Sequence, residues 1–179
     1  RSEAVGVTEM ITFADRMDHE AMYRFGCGVG VRFDAVERLL GEDRTASPTV
    51  GRPMHLLRPD NRYTEWALVG ESCSDAVRDE VLGEIQALGI PFLAKYRSLE
   101  EVRSALSSED PRLWFSLGPT ERLERLASIE FIAGRRAEAL DLLDRAISKE
   151  RDSLPKRWVP LQRLRERLAG LPDGRASER

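Results

Sequence analysis

The sequence predicts an α+β fold: a small, mostly antiparallel sheet of about four strands packed with helices, then a C-terminal extension of about three helices. Three observations predict it. Between residues 5 and 33 apolar side chains fall at alternate positions, the period of a strand. From Ser74 onward they recur at three and four, the period of a helix. The connections between the candidate strands are short, which favours antiparallel pairing over βαβ units.

The bulk numbers set the class. The chain has 179 residues, 41% hydrophobic and 33% charged, enough apolar material to bury a core and too much for disorder throughout. Lys+Arg 28 against Asp+Glu 31 leaves a net charge of −3, which argues against polyanion binding over the whole surface. Arginine outnumbers lysine by 25 to 3, a mark of a GC-rich genome rather than of a function. The two cysteines, Cys27 and Cys73, form no C-x-x-C and are too few for a disulfide scaffold, so reduced thiols in a cytoplasm are expected. No apolar run approaches the ~20 residues of a membrane-spanning helix, so no membrane contact is expected. The chain opens on Arg1 rather than Met, which is compatible with a lost leading segment, a cleaved signal peptide included.

The elements come in order along the chain. Val5, Val7, Ile11 and Phe13 share one parity and predict a half-buried strand, with Asp15–Glu20 as the loop after it. Tyr23, Phe25, Cys27, Val29, Val31 and Phe33 then alternate without a break, and this strand pairs with the first as a hairpin. Asp34 starts a short helix with Glu37 as its capping-box partner and Gly41 past its end. Residues 42–53 are rich in turn formers and predict a mobile surface loop. Met54–Leu57 and Glu65–Val69 are two further short strands, separated by a turn over RPDNRYT.

Ser74 caps the next helix, whose apolar face is Val77, Val81, Leu82, Ile85 and Leu88, and Gly89 ends it. Pro91 opens another turn through Tyr96, and Ser98 with Glu101 caps a helix carrying Leu99, Val102 and Leu106. The Ser, Pro and Gly of residues 107–119 mark a boundary, across which the apolar LWF docks the C-terminal helices onto the first module. The expected division is therefore an α+β module over 1–107, a helical extension over 108–171 and a frayed tail over 172–179.

The extension begins with two helices near 120–133 and 136–149, with Gly134 at the turn. Ala127, Gly134, Ala139 and Ala146, with Leu126 and Leu143, resemble a single tetratricopeptide-repeat hairpin, although Glu130 stands where an aromatic is usual and Pro155 is late. An ordinary αα-hairpin is the favoured account of them, and one repeat cannot bury its own faces as a solenoid. A last helix near 158–169 carries Leu161, Leu164, Leu168 and Leu171 beside Arg163, Arg165 and Arg167, with Lys156 and Arg157 at its start. It reads either as a partner- or polyanion-binding helix or as an apolar stripe packed inward with its arginines in water.

In the first module the order of motifs resembles a bacterial domain-of-unknown-function family, number 4304. It runs from a strand ending in Phe13 through Arg24-Phe25-Gly26-Cys27-Gly28-Val29-Gly30-Val31, then Glu65-Trp66-Ala67-Leu68, Leu88-Gly89-Ile90-Pro91-Phe92-Leu93 and the Ser98-Leu99-Glu100 turn. The resemblance spans about residues 7–107. It implies an α+β fold and brings no activity and no catalytic residues. Family members begin with an amphipathic helix and a strand, which implies a truncated or divergent start here.

One feature of the second strand points to a site. If Tyr23 through Phe33 faces the core, the other side reads Met22, Arg24, Gly26, Gly28, Gly30, Arg32. Three glycines on one face leave bare backbone, which something approaches closely. Either a helix of the chain packs there, or a ligand lies on a flat floor between Arg24 and Arg32, which suit a carboxylate or phosphate. G-x-G-x-G is not the dinucleotide fingerprint. Cys73 sits before the Ser74 helix, where a dipole lowers a thiol pKa, but the sequence sets neither His19 nor His55 beside it as a base. The histidines form no metal-binding pair, no phosphate loop or serine elbow occurs, and neither catalytic residues, a metal nor a cofactor is expected.

The leading expectation is thus a non-catalytic protein-interaction module. Its partner would be another protein or a second copy, steered by the acidic 71–84 and basic 155–169 regions. A small-anion-binding protein or an enzyme on the glycine floor is the alternative, and nucleic-acid binding by the C-terminal arginines is the least favoured.

Overall fold

β2 (Met22–Phe33) organises the fold. The computed structural model describes residues 6–17, 22–41, 48–69, 74–113, 115, 117–151 and 155–171, excepting the side chains of 15–17, 22–23, 68–69, 111 and 155–157. On one side β2 pairs along eleven residues with β1 (Val7–Met17), from Val7 opposite Phe33 to Met17 opposite Tyr23. On the other side two short strands share its length end to end. β3 (Val50–Pro53) takes Gly28–Val31, and β4 (Trp66–Val69) takes Met22–Phe25. All pairings are antiparallel, so the chain is an α+β protein with a four-stranded antiparallel sheet.

The alternation in β2 sorts its faces as the sequence implies. Cys27, Val29, Val31 and Phe33 are buried against the helices, with Phe25 half-buried beside them, while Tyr23 has no described side chain. β1 departs from expectation. Val7, Ile11 and Phe13 are 42%, 43% and 57% exposed, because β1 is the sheet edge and leaves them at the margin of the core; Val5 lies outside the described residues. β1 also runs through Asp15–Met17, expected as loop, because the ladder to β2 continues there.

α1 (Asp34–Leu40) follows β2 directly and ends at Gly41, whose φ of 71° is left-handed. Glu37 is not a cap. It lies buried, and its Oε1 accepts the Thr49 hydroxyl at 2.6 Å, while Thr49 Oγ1 accepts the Phe33 N–H at 2.9 Å. The amide of Asp34 instead donates to the carbonyl of Gly6 at 3.0 Å. This network pulls Thr49 and Val50 into the core and makes β3 out of part of the segment expected as mobile loop. Residues 42–47 lie outside the described residues. The expected third strand, Met54–Leu57, is instead a 3₁₀ turn, because the chain leaves the sheet at Pro53.

α2 (Asp75–Glu84) is capped by Ser74, whose hydroxyl accepts the Val77 N–H at 3.3 Å. Gly89 does not end it. A π turn over Ile85–Gly89 carries the chain straight into α3 (Ile90–Lys95), with the Ile90 N–H reaching the Ile85 carbonyl. The wide turn accommodates Pro91, which has no N–H to donate and whose ring would crowd the preceding turn. Gly89 brings this helix down onto the sheet: a Cβ there would lie 3.0 Å from Val29 Cγ1. Leu82, read as core, faces water at 48% exposure. α4 (Leu99–Ser107) follows, capped by Ser98 from the N–H groups of Glu100 and Glu101.

α5 (Pro119–Ile132) and α6 (Arg136–Glu150) form the expected hairpin about Gly134. Glu130 is buried and binds Arg103, Nε to Oε1 at 2.9 Å, and Arg135, so an ion-pair site replaces the aromatic. α7 (Pro155–Gly170) closes the bundle, and its Leu161, Leu164 and Leu168 pack against Ala127, Phe131, Ala139 and Leu143. The leucine stripe is therefore internal, as the inward-packed reading has it. A second core cluster lies under the sheet and takes Phe115, Leu126 and Ile129 from beyond residue 107.

Candidate functional site

Because β3 leaves β2 at Gly28 and β4 joins it only at Phe25, Gly26 and Cys27 have no strand partner on that side. The intervening chain, from the 3₁₀ turn to Glu65, swings out and leaves a notch in the sheet. Asn61 turns it back, with a left-handed φ of 50° and its N–H on the Arg58 carbonyl at 3.2 Å. At the rim His55 meets Tyr63 edge-on with ring centroids 4.9 Å apart, and the Tyr63 hydroxyl donates to Glu65 at 2.6 Å.

A cavity of about 580 Å³ occupies this notch. Its floor is the bare side of the β1–β2 ladder: Ala14 opposite Gly26 and Thr12 opposite Gly28. Trp66, Phe115, Leu117, Met54 and Pro53 supply apolar walls. Trp66 is only 5% exposed, packs at 5.7 Å on Phe25, and its indole Nε1–H has no hydrogen-bond partner among the described residues. Buried indole N–H groups are ordinarily paired.

The three glycines do different things. A Cβ on Gly30 would lie 2.5 Å from Pro48 Cβ, and one on Gly51 3.0 Å from Pro48 Cγ, so both make room for that ring. A Cβ on Gly28 would meet Thr12 Oγ1 at 2.9 Å and the Arg52 carbonyl at 3.3 Å. Gly26 meets nothing within 4 Å and opens on the cavity. No helix packs on this face of Gly26–Gly30 among the described residues; the helix that approaches closely does so at Gly89, on the opposite face.

Of the five residues marked in the sequence, Arg24, Gly26 and Gly28 line the cavity, and Gly30 and Arg32 do not. Arg32 turns instead to Asp34, Nε to Oδ1 at 3.1 Å. The sequence reading missed Arg52, which lay in the presumed loop. Arg52 lines the cavity, and its side chain makes no hydrogen bond or ion pair among the described residues, with Nε buried. Two carboxylates also reach the wall. Glu84 is ion-paired with Arg58, its Oε2 has no hydrogen bond among the described residues, and Glu65 accepts from Tyr63.

Among the described residues, the candidate chemical groups of this cavity stand apart from one another. Cys27 lines the cavity but is buried, and burial pushes its thiol above the ordinary value, the opposite of nucleophile activation. His55 faces Tyr63. No group of three His, Cys, Asp or Glu among the described residues is placed to hold a metal. His19 and Cys73 lie outside the described residues. The C-terminal arginines are partly spent within the fold: Arg165 binds Asp144 at 2.8 Å and Arg167 donates to the Leu39 carbonyl. No helix of the described residues is long and apolar enough to cross a membrane.

No protein-family model matches the chain, and neither a curated protein nor a solved structure matches it. The geometry of the notch is therefore the ground for a function.

Proposed function

We propose that this protein is a non-catalytic ligand-binding module that takes a small organic molecule into the notch cavity. The observation that carries it is Gly26. A glycine in mid-strand weakens a sheet, and here no neighbour needs the space. A cavity of 580 Å³ with apolar walls and a few polar groups is of the size and character of a small-molecule site. A cytoplasmic location goes with this reading, drawn from the unpaired Cys27 and the low cysteine content. The likeness to family 4304 is likewise proposed, from the order of its motifs, and adds no activity.

For protein contacts, the other function expected from the sequence, the edge and apolar side of β1 offer an exposed surface. Nothing in the structure says what would cover it, and the cavity is the better-supported site.

Gly26→Leu tests the proposal. Its side chain enters the open space, so the fold survives with an unchanged or higher Tm while the cavity fills. The wild-type protein is expected to enhance the fluorescence of the neutral dye N-phenylnaphthylamine, and the variant to lose that enhancement. A folded Gly26→Leu variant that binds the dye as the wild type does would overturn the assignment.

A further inference from the structure

A second cavity, of about 330 Å³, lies between α3 and the segment before α5, and Arg52 and Phe115 stand in the walls of both. Its character differs from the first. Arg52, Lys95 and Arg112 line it, and no carboxylate does. The rest of the wall includes a three-ring cluster, with Tyr96 and Phe115 at 4.7 Å and Phe92 and Tyr96 at 4.9 Å between centroids.

The three cations are not equally committed. Arg112 holds Asp110 through Nε and Nη2 at 2.8–3.1 Å, and its hydrogen bonds keep the Asp110 carboxyl below its ordinary range. Lys95 lies 5.1 Å above the Tyr96 ring and makes no ion pair among the described residues. Arg52 is the half-buried one whose guanidinium has no hydrogen bond or ion pair among the described residues, although Asp110 feels its charge. Around the first cavity Glu84 is already taken by Arg58 and Glu65 by Tyr63, and Arg24 already interacts within the fold. A half-buried guanidinium with no hydrogen-bond partner among the described residues is costly, and an oxyanion in a two-point hydrogen bond is the partner its geometry suits.

We infer that the ligand is an anionic amphiphile, with an apolar body on the Gly26 floor and an oxyanion, carboxylate or phosphate, on Arg52 where the two cavities share a wall. This rests on the binding site proposed above and names its ligand class. Lys95 adds charge from the second cavity without touching the body. Phe115 holds the shared wall in place. Its left-handed φ of 55° is unfavourable for an aromatic residue and is maintained by the ring cluster.

Two dyes of like shape separate charge from fit: anilinonaphthalene sulfonate, an anion, and neutral N-phenylnaphthylamine. Wild-type protein should bind both at one site emptied by Gly26→Leu. Arg52→Gln should weaken the anionic dye about ten-fold, the loss of one charged hydrogen-bonding partner, and leave the neutral dye within about two-fold. Lys95→Met, on a helix away from the sheet, should weaken only the anionic dye, and by less. Arg52→Lys should restore part of the loss, which a folding defect would not allow. Displacement by naphthoate or by naphthyl phosphate would support an oxyanion ligand and tell carboxylate from phosphate. Equal losses for the two dyes in Arg52→Gln, or displacement by neither competitor, would overturn the anion inference and leave the cavity assignment standing. Failure of the wild type to bind either dye, or insensitivity to Gly26→Leu, would overturn the cavity itself.

Discussion

Gly26 and Gly30 sit on one face of one strand, with only Gly28 between them on that face, and should answer oppositely to the same methyl group. At Gly30 the new Cβ would meet the Pro48 ring at 2.5 Å and the Val50 carbonyl at 3.0 Å, so backbone or ring has to move. Overpacking of this kind costs about 1–3 kcal/mol. At Gly26 the methyl meets open space and removes the entropy penalty of glycine, a gain of about 0.5–1 kcal/mol. Thermal melts of Gly30→Ala and Gly26→Ala should therefore move in opposite directions, each kcal/mol shifting the Tm by about 2–4 °C in a chain of this size. Equal shifts would mean that Pro48 does not lie on Gly30. The alternation of Tyr23–Phe33 makes the glycine face legible in the sequence; which glycine is open and which is covered depends on Pro48, a residue 18 positions past Gly30.

At the scale of elements, three arginines terminate other helices, and Arg167 of the helix expected to be basic is one of them. Arg122 of α5 donates to the Leu106 carbonyl at the end of α4 at 2.6 Å. Arg136 of α6 donates to Ala169 at the end of α7 at 2.6 Å, and Arg167 of α7 donates to Leu39 at the end of α1. The last carbonyls of a helix lack intrahelical partners and carry the negative end of its dipole, so a guanidinium there satisfies both. Arg167→Met should cost about 1 kcal/mol, the ordinary worth of such a bond, while Arg163→Met, exposed on the same helix, should stay within about 0.5 kcal/mol. Denaturant midpoints at constant slope would measure both; equal effects would remove the capping role. Local patterns gave the caps at Ser74 and Ser98, the hairpin about Gly134 and the inward leucines of α7, because each is settled within a few residues. They could not give β3, which exists because Thr49 binds Glu37 and Phe33 from 12 and 16 positions away. Arg52 was hidden with it, so the sequence assigned the anion contact to Arg24 and Arg32.

For the molecule as a whole, the boundary drawn from composition near residue 107 does not coincide with a break in the core. Phe115, Leu126 and Ile129 lie in the cluster under the sheet, and Leu40 and Leu142 border both clusters. Arg125 reaches back to the Thr49 carbonyl at 2.5 Å, and Arg167 caps α1. Removing the helices would thus expose the core of the sheet and strip Phe115 and Leu117 from the cavity wall. Interfaces of this kind make two halves unfold as one. In a Trp114→Phe, Trp158→Phe background, fluorescence reports Trp66 at the notch while far-UV circular dichroism is dominated by the helices. The two should trace a single urea transition with the same midpoint and slope. A ligand in the cavity binds only the intact fold, so it should move both traces together by RT ln(1 + [L]/Kd). Loss of the Trp66 signal before the helices melt would separate the chain near residue 107 after all, and would place the cavity in a module that forms without its Phe115 wall.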